Sequence, residues 1–348
     1  MKRIAVFDTK KYDKESFSKY DNSDYDFVYF KDRLTKDTVS LTKGFDAVIC
    51  FVNDELDDYV LTKLNEFGIH GAFLRCAGYN NVDLLSAYEN KVHISRVPAY
   101  SPYAIAEHAF ALILSLNRHI HKAYLRTRDF NFNLESLTGF DLHDKTIGVI
   151  GTGKIGRVFI DIAKGFGMNI ICYDPYPINN EKYQYVSLEE IYQKSDIISL
   201  HCPLNKENHH MINVDTIKQM KDGVMIINTS RGGLIDSKAL LEELKNKKVG
   251  AVGLDVYEEE ADLFYRDNSF KIIDDDILSL LISMPNVIIT SHQAYLTKEA
   301  LDNIAETTVK NMNEYFAQEL IQNELCYLCE KSGNREKCYK NRKEPCFK

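Results

Sequence analysis

The segment Gly151-Thr152-Gly153-Lys154-Ile155-Gly156 follows a strand-like apolar stretch, Thr146–Ile150, and opens a helix-compatible one, Lys154–Phe166. No other feature restricts the fold as tightly. The first glycine permits a tight turn, the second removes a side chain so that a pyrophosphate can approach the backbone, and the third lets helix and strand pack closely. Free N–H groups and the helix dipole then favour phosphate. A lone GxGxxG is weak evidence, but here both flanks fit. Asp174 ends the next strand, Asn169–Tyr173. A carboxylate at that point accepts hydrogen bonds from ribose hydroxyls and repels a 2′-phosphate, which predicts NAD rather than NADP. The loop begins near residue 146, so a whole α/β unit precedes it.

The rest of the chain alternates strands and helices on both sides of this loop. Before it, Arg3–Phe7, Ala47–Val52, Gly71–Leu74 and Val92–Ile94 read as strands and Leu56–Phe67 as a helix. Ser101-Pro102 starts a long helix, expected to run to about Leu125. Asn131–Leu142 reads as a loop. After the loop motif, Ile197–Leu200, Val224–Asn228, Gly250–Leu254 and Val287–Thr290 read as buried parallel strands, with helices at Leu188–Lys194, Ser237–Asn246 and, last, Lys298–Gln318. The pattern is α/β: two doubly wound parallel-sheet domains, a Rossmann-type nucleotide domain plus a smaller flavodoxin-like substrate domain. The expected boundaries are 1–100 with 297–330 for the substrate domain, 101–296 for the NAD-binding domain, and 326–348 for a cysteine-rich basic tail.

Bulk properties narrow the class. A chain of 348 residues suits two domains. Its net charge of −8 gives no electrostatic support for binding nucleic acid. Four apolar residues, Ile4–Phe7, cannot form a signal-peptide core, and the apolar run Ala109–Leu114 is far short of a membrane span. Cys50, Cys76, Cys172 and Cys202 lie among apolar stretches and read as buried thiols of a reducing compartment. The expectation is a cytoplasmic protein without a membrane or nucleic-acid partner.

Three side chains sit just after strands of the second alternation, where ligands bind in open α/β sheets. They are Arg231 in Asn228-Thr229-Ser230-Arg231-Gly232-Gly233, Glu260 in Asp255-Val256-Tyr257-Glu258-Glu259-Glu260, and His292 in Thr290-Ser291-His292-Gln293-Ala294. Reducing a 2-keto acid needs these types. A guanidinium forks onto the carboxylate, a proton donor meets the carbonyl oxygen as charge develops there, and an acid keeps that donor charged near neutral pH. Taken singly each residue has a dull explanation; their placement at three successive strand ends does not.

These segments, with Tyr100-Ser101-Pro102-Tyr103-Ala104-Ile105-Ala106-Glu107-His108 and the glycine loop, resemble the D-2-hydroxyacid dehydrogenase family, closest to its D-lactate dehydrogenase branch. The similarity spans about residues 1–325. It implies two similar α/β domains with the active site in the cleft between them and a homodimer through the nucleotide domains. It also implies roles. Arg231 would bind the substrate carboxylate, together with backbone N–H groups of Ala77 and Gly78. His292 would be the general acid in reduction and base in oxidation, and Glu260 would hold it protonated and oriented. Asp255 would lie near the nicotinamide, with Gly151, Thr152, Gly153, Lys154, Ile155, Gly156 and Asp174 around the rest of the dinucleotide. Phe51, Tyr100 and Tyr295 match positions lining the substrate side-chain pocket. His292 follows Ser rather than the frequent Pro, and Gly233 replaces a frequent Pro; neither removes a reacting group.

The implied reaction is the NAD-dependent interconversion of a small 2-keto acid and its D-2-hydroxy acid, with pyruvate and D-lactate the leading pair. Bulkier substrates, giving 2-hydroxyisocaproate or phenyllactate, stay open because a methylene in an apolar pocket changes discrimination by only about 1–3 kcal/mol. A non-catalytic NAD(H)-sensing corepressor is the reading from another class. Two features remain outside this scheme. Cys326, Cys329, Cys338 and Cys346 could hold zinc or an iron–sulfur cluster, form regulatory disulfides, or belong to a loosely ordered tail. His119, His121, His201, His209 and His210 have no acidic or cysteine partner at ligand spacing and read as surface or cleft-lining residues.

Overall fold

The computed structural model describes residues 1–21, 24–178, 182–260 and 263–332. The chain divides into two compact units, Met1–Ser101 together with the segment from Thr297 onward, and Pro102–Leu296.

The first unit is built on five parallel strands: β1 (Lys2–Val6), β2 (Tyr25–Tyr29), β3 (Ala47–Cys50), β4 (Gly71–Leu74) and β5 (His93–Ser95), in the spatial order 2-1-3-4-5. This is the flavodoxin-like order. Strands β3 and β4 are wholly buried, so they read as continuous apolar runs. The sequence reading does not anticipate β2. It is a five-residue edge strand, Tyr-Asp-Phe-Val-Tyr, too short for its alternation to stand out, and its pairing with β1 is set by tertiary contact. The late helix Lys298–Phe316 returns to this sheet, where Ala305, Val309 and Met312 join Ile4, Val6, Phe27, Ile49 and Phe73 in one core.

The second unit carries β6 (Thr146–Ile150), β7 (Asn169–Tyr173), β8 (Ile197–Leu200), β9 (Val224–Asn228), β10 (Val249–Leu254) and β11 (Val287–Ile289), all parallel, in the order 11-10-9-8-6-7. A parallel bridge between Cys172 and Tyr185 adds a one-residue strand outside β7. Counted from β6, with that bridge as third strand, the order becomes 3-2-1-4-5-6-7, the Rossmann arrangement with one further strand. Helices cover both faces. On one, Phe110, Ile113 and Leu116 of helix Pro102–Asn117 pack with Phe159, Ile160 and Ala163 of helix Lys154–Gly165 over Ile147, Val149 and Ile227. On the other, Ile150, Ile198, Leu200 and Ile226 meet Ile191, Leu240, Leu241 and Leu244. Back in the first unit, β12 (Glu324–Leu325) pairs antiparallel with β5.

The long helix expected from Pro102 to about Leu125 is instead two, Pro102–Asn117 and Ile120–Arg128, broken at His119 with φ of 49°. The cause is tertiary. The buried Asn117 side chain accepts from the Phe140 N–H (2.9 Å) and donates to the Phe140 carbonyl (2.7 Å), tying the helix end to a distant loop. His201 is buried, not on a surface: it lies beneath Gly151 and packs on Phe159, and burial pushes its imidazole down to about 3. His209 and His210 do meet an acid, Glu258, which comes from a remote segment.

Candidate active site

The glycine loop is fixed by backbone crowding. Gly151 has φ of +97°, and a Cβ on Gly156 would lie 2.0 Å from the Gly151 carbonyl oxygen. Gly153 is different: an added Cβ would meet nothing within 4 Å. That open ground faces the start of helix Lys154–Gly165, where Gly153 is the N-cap and supplies no capping side chain. The first-turn N–H groups are therefore left for another acceptor. Thr152 is buried and its N–H (2.7 Å) and hydroxyl (2.9 Å) both donate to one oxygen of Asp174, which ties the end of β7 to the loop. Exposed Lys154 and half-buried Ile155 open the helix. A phosphate cradle beside a strand-end carboxylate is what a dinucleotide requires.

Two strands away, Arg231 follows β9. The Asn228 side chain clamps its turn, accepting from the Ser230 N–H (3.0 Å) and donating to the Arg231 carbonyl (2.8 Å), while Ser230 Oγ donates to the Leu200 carbonyl. Gly232 lets this turn lie against the next segment: a Cβ there would be 2.2 Å from the Tyr257 carbonyl. That next segment follows β10 and carries Glu260, whose Oε2 accepts from the Tyr257 N–H at 2.9 Å and whose Oε1 lies 2.8 Å from His292 Nδ1. The imidazole and the carboxylate are each about three-quarters covered, with 22% and 25% of their side-chain surface exposed, so the pair is screened yet reachable.

His292 adopts φ of 53°, a region that costs a non-glycine residue free energy and persists only when its surroundings over-determine it. Asp255 and Tyr265 do so here. The His292 N–H donates to the Asp255 carbonyl (2.7 Å), and Tyr265 Oη donates to the His292 carbonyl (3.1 Å). The Asp255 carboxylate is fully buried. It accepts from the Thr290 hydroxyl (2.6 Å) and from the N–H groups of Gln293 (2.8 Å) and Ala294 (2.9 Å), with His108 Nε2 at 3.4 Å. Burial alone would raise its pKa, but these donors together hold it below the usual carboxylate value. Asp255 thus shapes the loop that presents His292. The sequence reading named Asp255 but missed Thr290 and Tyr265 as its helpers. Only strand-end position could have signalled Thr290, and nothing local marks Tyr265.

Of the remaining expected residues, Tyr295 is buried in the second unit. In the first unit, Phe51 is buried under the Arg75 guanidinium, 4.2 Å from its ring centre. Ala77 and Gly78 follow Arg75, with their carbonyls taken by Arg96 Nη1 (2.7 Å) and Cys76 Sγ (3.3 Å). The Tyr100 carbonyl accepts from Asn303 Nδ2 at 2.6 Å. Cys326 is buried and Cys329 half-buried; Cys338 and Cys346 lie outside the described residues.

Residues 110–294 match the model for the NAD binding domain of D-isomer specific 2-hydroxyacid dehydrogenases. The D-lactate dehydrogenase of Escherichia coli (strain K12) is 49% identical over 327 residues, which span 93% of this chain and 99% of that one. The apo-structure of D-lactate dehydrogenase from Escherichia coli superposes with a TM-score of 0.86 at 47% identity, covering 93% and 99% of the two chains. The NAD-complexed D-isomer specific 2-hydroxyacid dehydrogenase from Lactobacillus delbrueckii ssp. bulgaricus gives a TM-score of 0.78 at 26% identity, covering 93% and 99%. With its motifs, topology and strand-end side chains in agreement, this chain belongs to the D-isomer specific 2-hydroxyacid dehydrogenase family and is an NAD-binding enzyme of that family.

Proposed function

We propose that the enzyme reduces pyruvate to D-lactate, with His292 as the proton carrier. The carrying observation is the Glu260–His292 contact at 2.8 Å on the strand ends next to Arg231. NAD(H), when bound on the glycine loop, supplies or accepts the hydride. Arg231 pairs its planar guanidinium with the substrate carboxylate and fixes the carbonyl's orientation. His292 gives its proton from Nε2 to the carbonyl oxygen in reduction and takes it back from the hydroxyl in oxidation. Glu260 engages Nδ1, which fixes the ring plane and leaves Nε2 for substrate. On the motif resemblance we assign the backbone N–H groups of Ala77 and Gly78 to the substrate carboxylate and Phe51, Tyr100 and Tyr295 to its side chain. Asp255 we assign to the nicotinamide end as well as to the His292 loop.

We favour pyruvate over bulkier acids because the motif resemblance assigns three large rings to the substrate side chain, and such rings suit a methyl group better than a branched or aromatic one. NADH oxidation measured with pyruvate, 2-ketoisocaproate and phenylpyruvate, with product chirality recorded, tests this. The highest kcat/KM for pyruvate with D-lactate formed is expected. A preference for either bulky acid overturns the substrate, and negligible turnover on all three leaves the corepressor reading.

We further propose a cytoplasmic homodimer. Buried Cys50 and Cys172, whose thiols burial pushes up (Cys172 to about 11), fit a reducing compartment. Tyr103, Ile120, Tyr124, Leu125, Phe130 and Phe132 leave an exposed apolar surface on the second unit that a second copy would cover. Light scattering at twice the chain mass supports the dimer; a monomer rejects it. Among the described residues no helix is long and apolar enough to cross a membrane.

A further inference from the structure

Outside the Glu260–His292 pair, three ligand-type side chains of the second unit converge. His209 and His210 precede helix Val214–Gln219, and Glu258 follows β10. His210 Nε2 lies 2.5 Å from Glu258 Oε1, and His209 Nε2 lies 4.0 Å from the same oxygen. The two imidazoles stack with centres 3.9 Å apart, and one ligand atom from each of the three residues falls within 4.8 Å of the others. We propose that His209, His210 and Glu258 form a binding site for a divalent transition-metal ion of the zinc type.

The local structure is built to hold these groups. His210 has φ of 53°, and its strained backbone is pinned by its N–H donating to the Gly233 carbonyl (2.9 Å) and its own carbonyl accepting from Asn213 Nδ2 (2.9 Å). The second oxygen of Glu258 is 3.3 Å from the Ser237 hydroxyl, an outer partner of the kind that orients a ligating carboxylate. An ordinary ion pair accounts for one histidine. It does not account for a second imidazole stacked beside the first with its nitrogen near the same oxygen, an arrangement that a shared cation explains.

The donor set identifies the class. Two imidazole nitrogens and one carboxylate oxygen suit zinc or its neighbours and ill suit magnesium or calcium, which take oxygen ligands. Two atoms each about 2 Å from a tetrahedral zinc stand roughly 3.3 Å apart. The His210–Glu258 contact therefore has to open slightly, which two partly exposed side chains permit. Solvent reaches all three residues, with side-chain exposures of 53%, 32% and 26%, so an ion can enter and water can complete its coordination. Bound there, it would tie the His209–His210 loop to the segment that also carries Glu260.

The test is cobalt(II) and zinc(II) titration of the full-length, chelator-stripped enzyme, followed by calorimetry and visible absorption. The variants are His209→Asn, Glu258→Gln, Ser237→Ala and a Cys326→Ser/Cys329→Ser pair. His209 is mostly exposed, so its substitution leaves folding intact. One equivalent should bind, persist in the cysteine variant without a thiolate–cobalt charge-transfer band, and vanish in His209→Asn and Glu258→Gln. Ser237→Ala should weaken it by about tenfold. No uptake, uptake unchanged in both His209→Asn and Glu258→Gln, or loss in the cysteine variant instead would each overturn the site.

Discussion

The two units share a plan up to the end of their first strand and then diverge. In the second, β6 runs into Gly151, and the next helix begins on a glycine N-cap with open space beside it. In the first, β1 runs into Phe7-Asp8-Thr9-Lys10, and the helix Lys11–Phe17 has its start closed by its own side chain: Asp13 Oδ2 accepts from the Lys10 N–H at 2.8 Å. Arg75, after β4, fills the rest, with Nη1 3.0 Å from Asp13 and Nη2 donating to the Asp8 carbonyl at 2.8 Å. Ligands bind open α/β sheets beyond the carboxyl ends of their strands. Here the end of the first strand is open ground in one sheet, which we propose as the phosphate cradle, and a buried ion pair in the other. Topology offers the location; glycine or a charged plug decides whether the end of the first strand is open to phosphate.

The largest effect should come from the second sheet's strand ends. His292→Gln is expected to lower kcat by about 10²–10⁴-fold while NADH binding survives, since the imidazole works on the proton and not on the dinucleotide. Single-turnover kinetics beside fluorescence titration of NADH separates the two, and retained turnover would remove His292 from the chemistry. The next largest is in the first sheet. Arg75→Met leaves Asp13 buried without its cation, and breaking a buried pair costs about 3–5 kcal/mol. Burial, outweighing Arg75, already holds the Asp13 carboxyl above its usual value, so this loss should shrink at low pH, where the acid takes a proton. Hydrogen exchange should show loosened β1 and β4 with β6 and β8 unchanged. Equal loosening of both sheets would mean that the plug is not local.

What the sequence showed follows the same division. Gly151–Gly156, Arg231, Glu260 and His292 were legible because each sits in a short contiguous motif at a strand end, and strand ends follow from apolar runs. The fold class followed from the same runs. The Arg75–Asp13 pair was hidden because nothing local couples a strand-end arginine to an acid on a different helix. For the same reason Glu258 could not be matched to His209 and His210 before β10 was placed beside β9. The break at His119 was invisible because Asn117 answers to Phe140, not to its helical neighbours. Edge strand β2 lacked signal for want of a second neighbour to bury it.

A smaller effect probes the cradle directly. Gly153→Val puts a Cβ where no atom stands within 4 Å and where φ is −63°, so the fold should survive with only the small loss of a poorer N-cap residue. The added methyls occupy ground that a pyrophosphate needs. NADH affinity should fall at least about tenfold, near 1.4 kcal/mol, with the melting temperature of the cofactor-free protein lowered by only a few degrees. Unchanged affinity would show that phosphate lies elsewhere, and the contrast between the sheets would lose its chemical meaning.

The two units treat two buried aspartates oppositely. Asp54, in the first unit, accepts from the N–H groups of Leu34 (2.7 Å) and Phe51 (2.5 Å), yet burial dominates and raises its pKa from 3.8 to about 7. Asp255 is equally covered, but its donors include a hydroxyl and an imidazole, and its pKa falls. The signs follow from proton uptake. Native Asp54 binds more proton than the unfolded chain between about 3.8 and 7, so its contribution is complete at low pH and is lost as pH rises through 7. Asp255 contributes above the ordinary carboxylate value and loses that contribution as pH falls through its lowered one. The stability difference between wild type and Asp54→Asn, followed by hydrogen exchange in β3, should therefore decline steadily from pH 4 to pH 8. The same difference for Asp255→Asn, followed in β10, should decline in the other direction, below the ordinary carboxylate value. A flat or rising Asp54 difference would mean that its two backbone donors outweigh burial, and that both sheets keep their buried carboxylates charged.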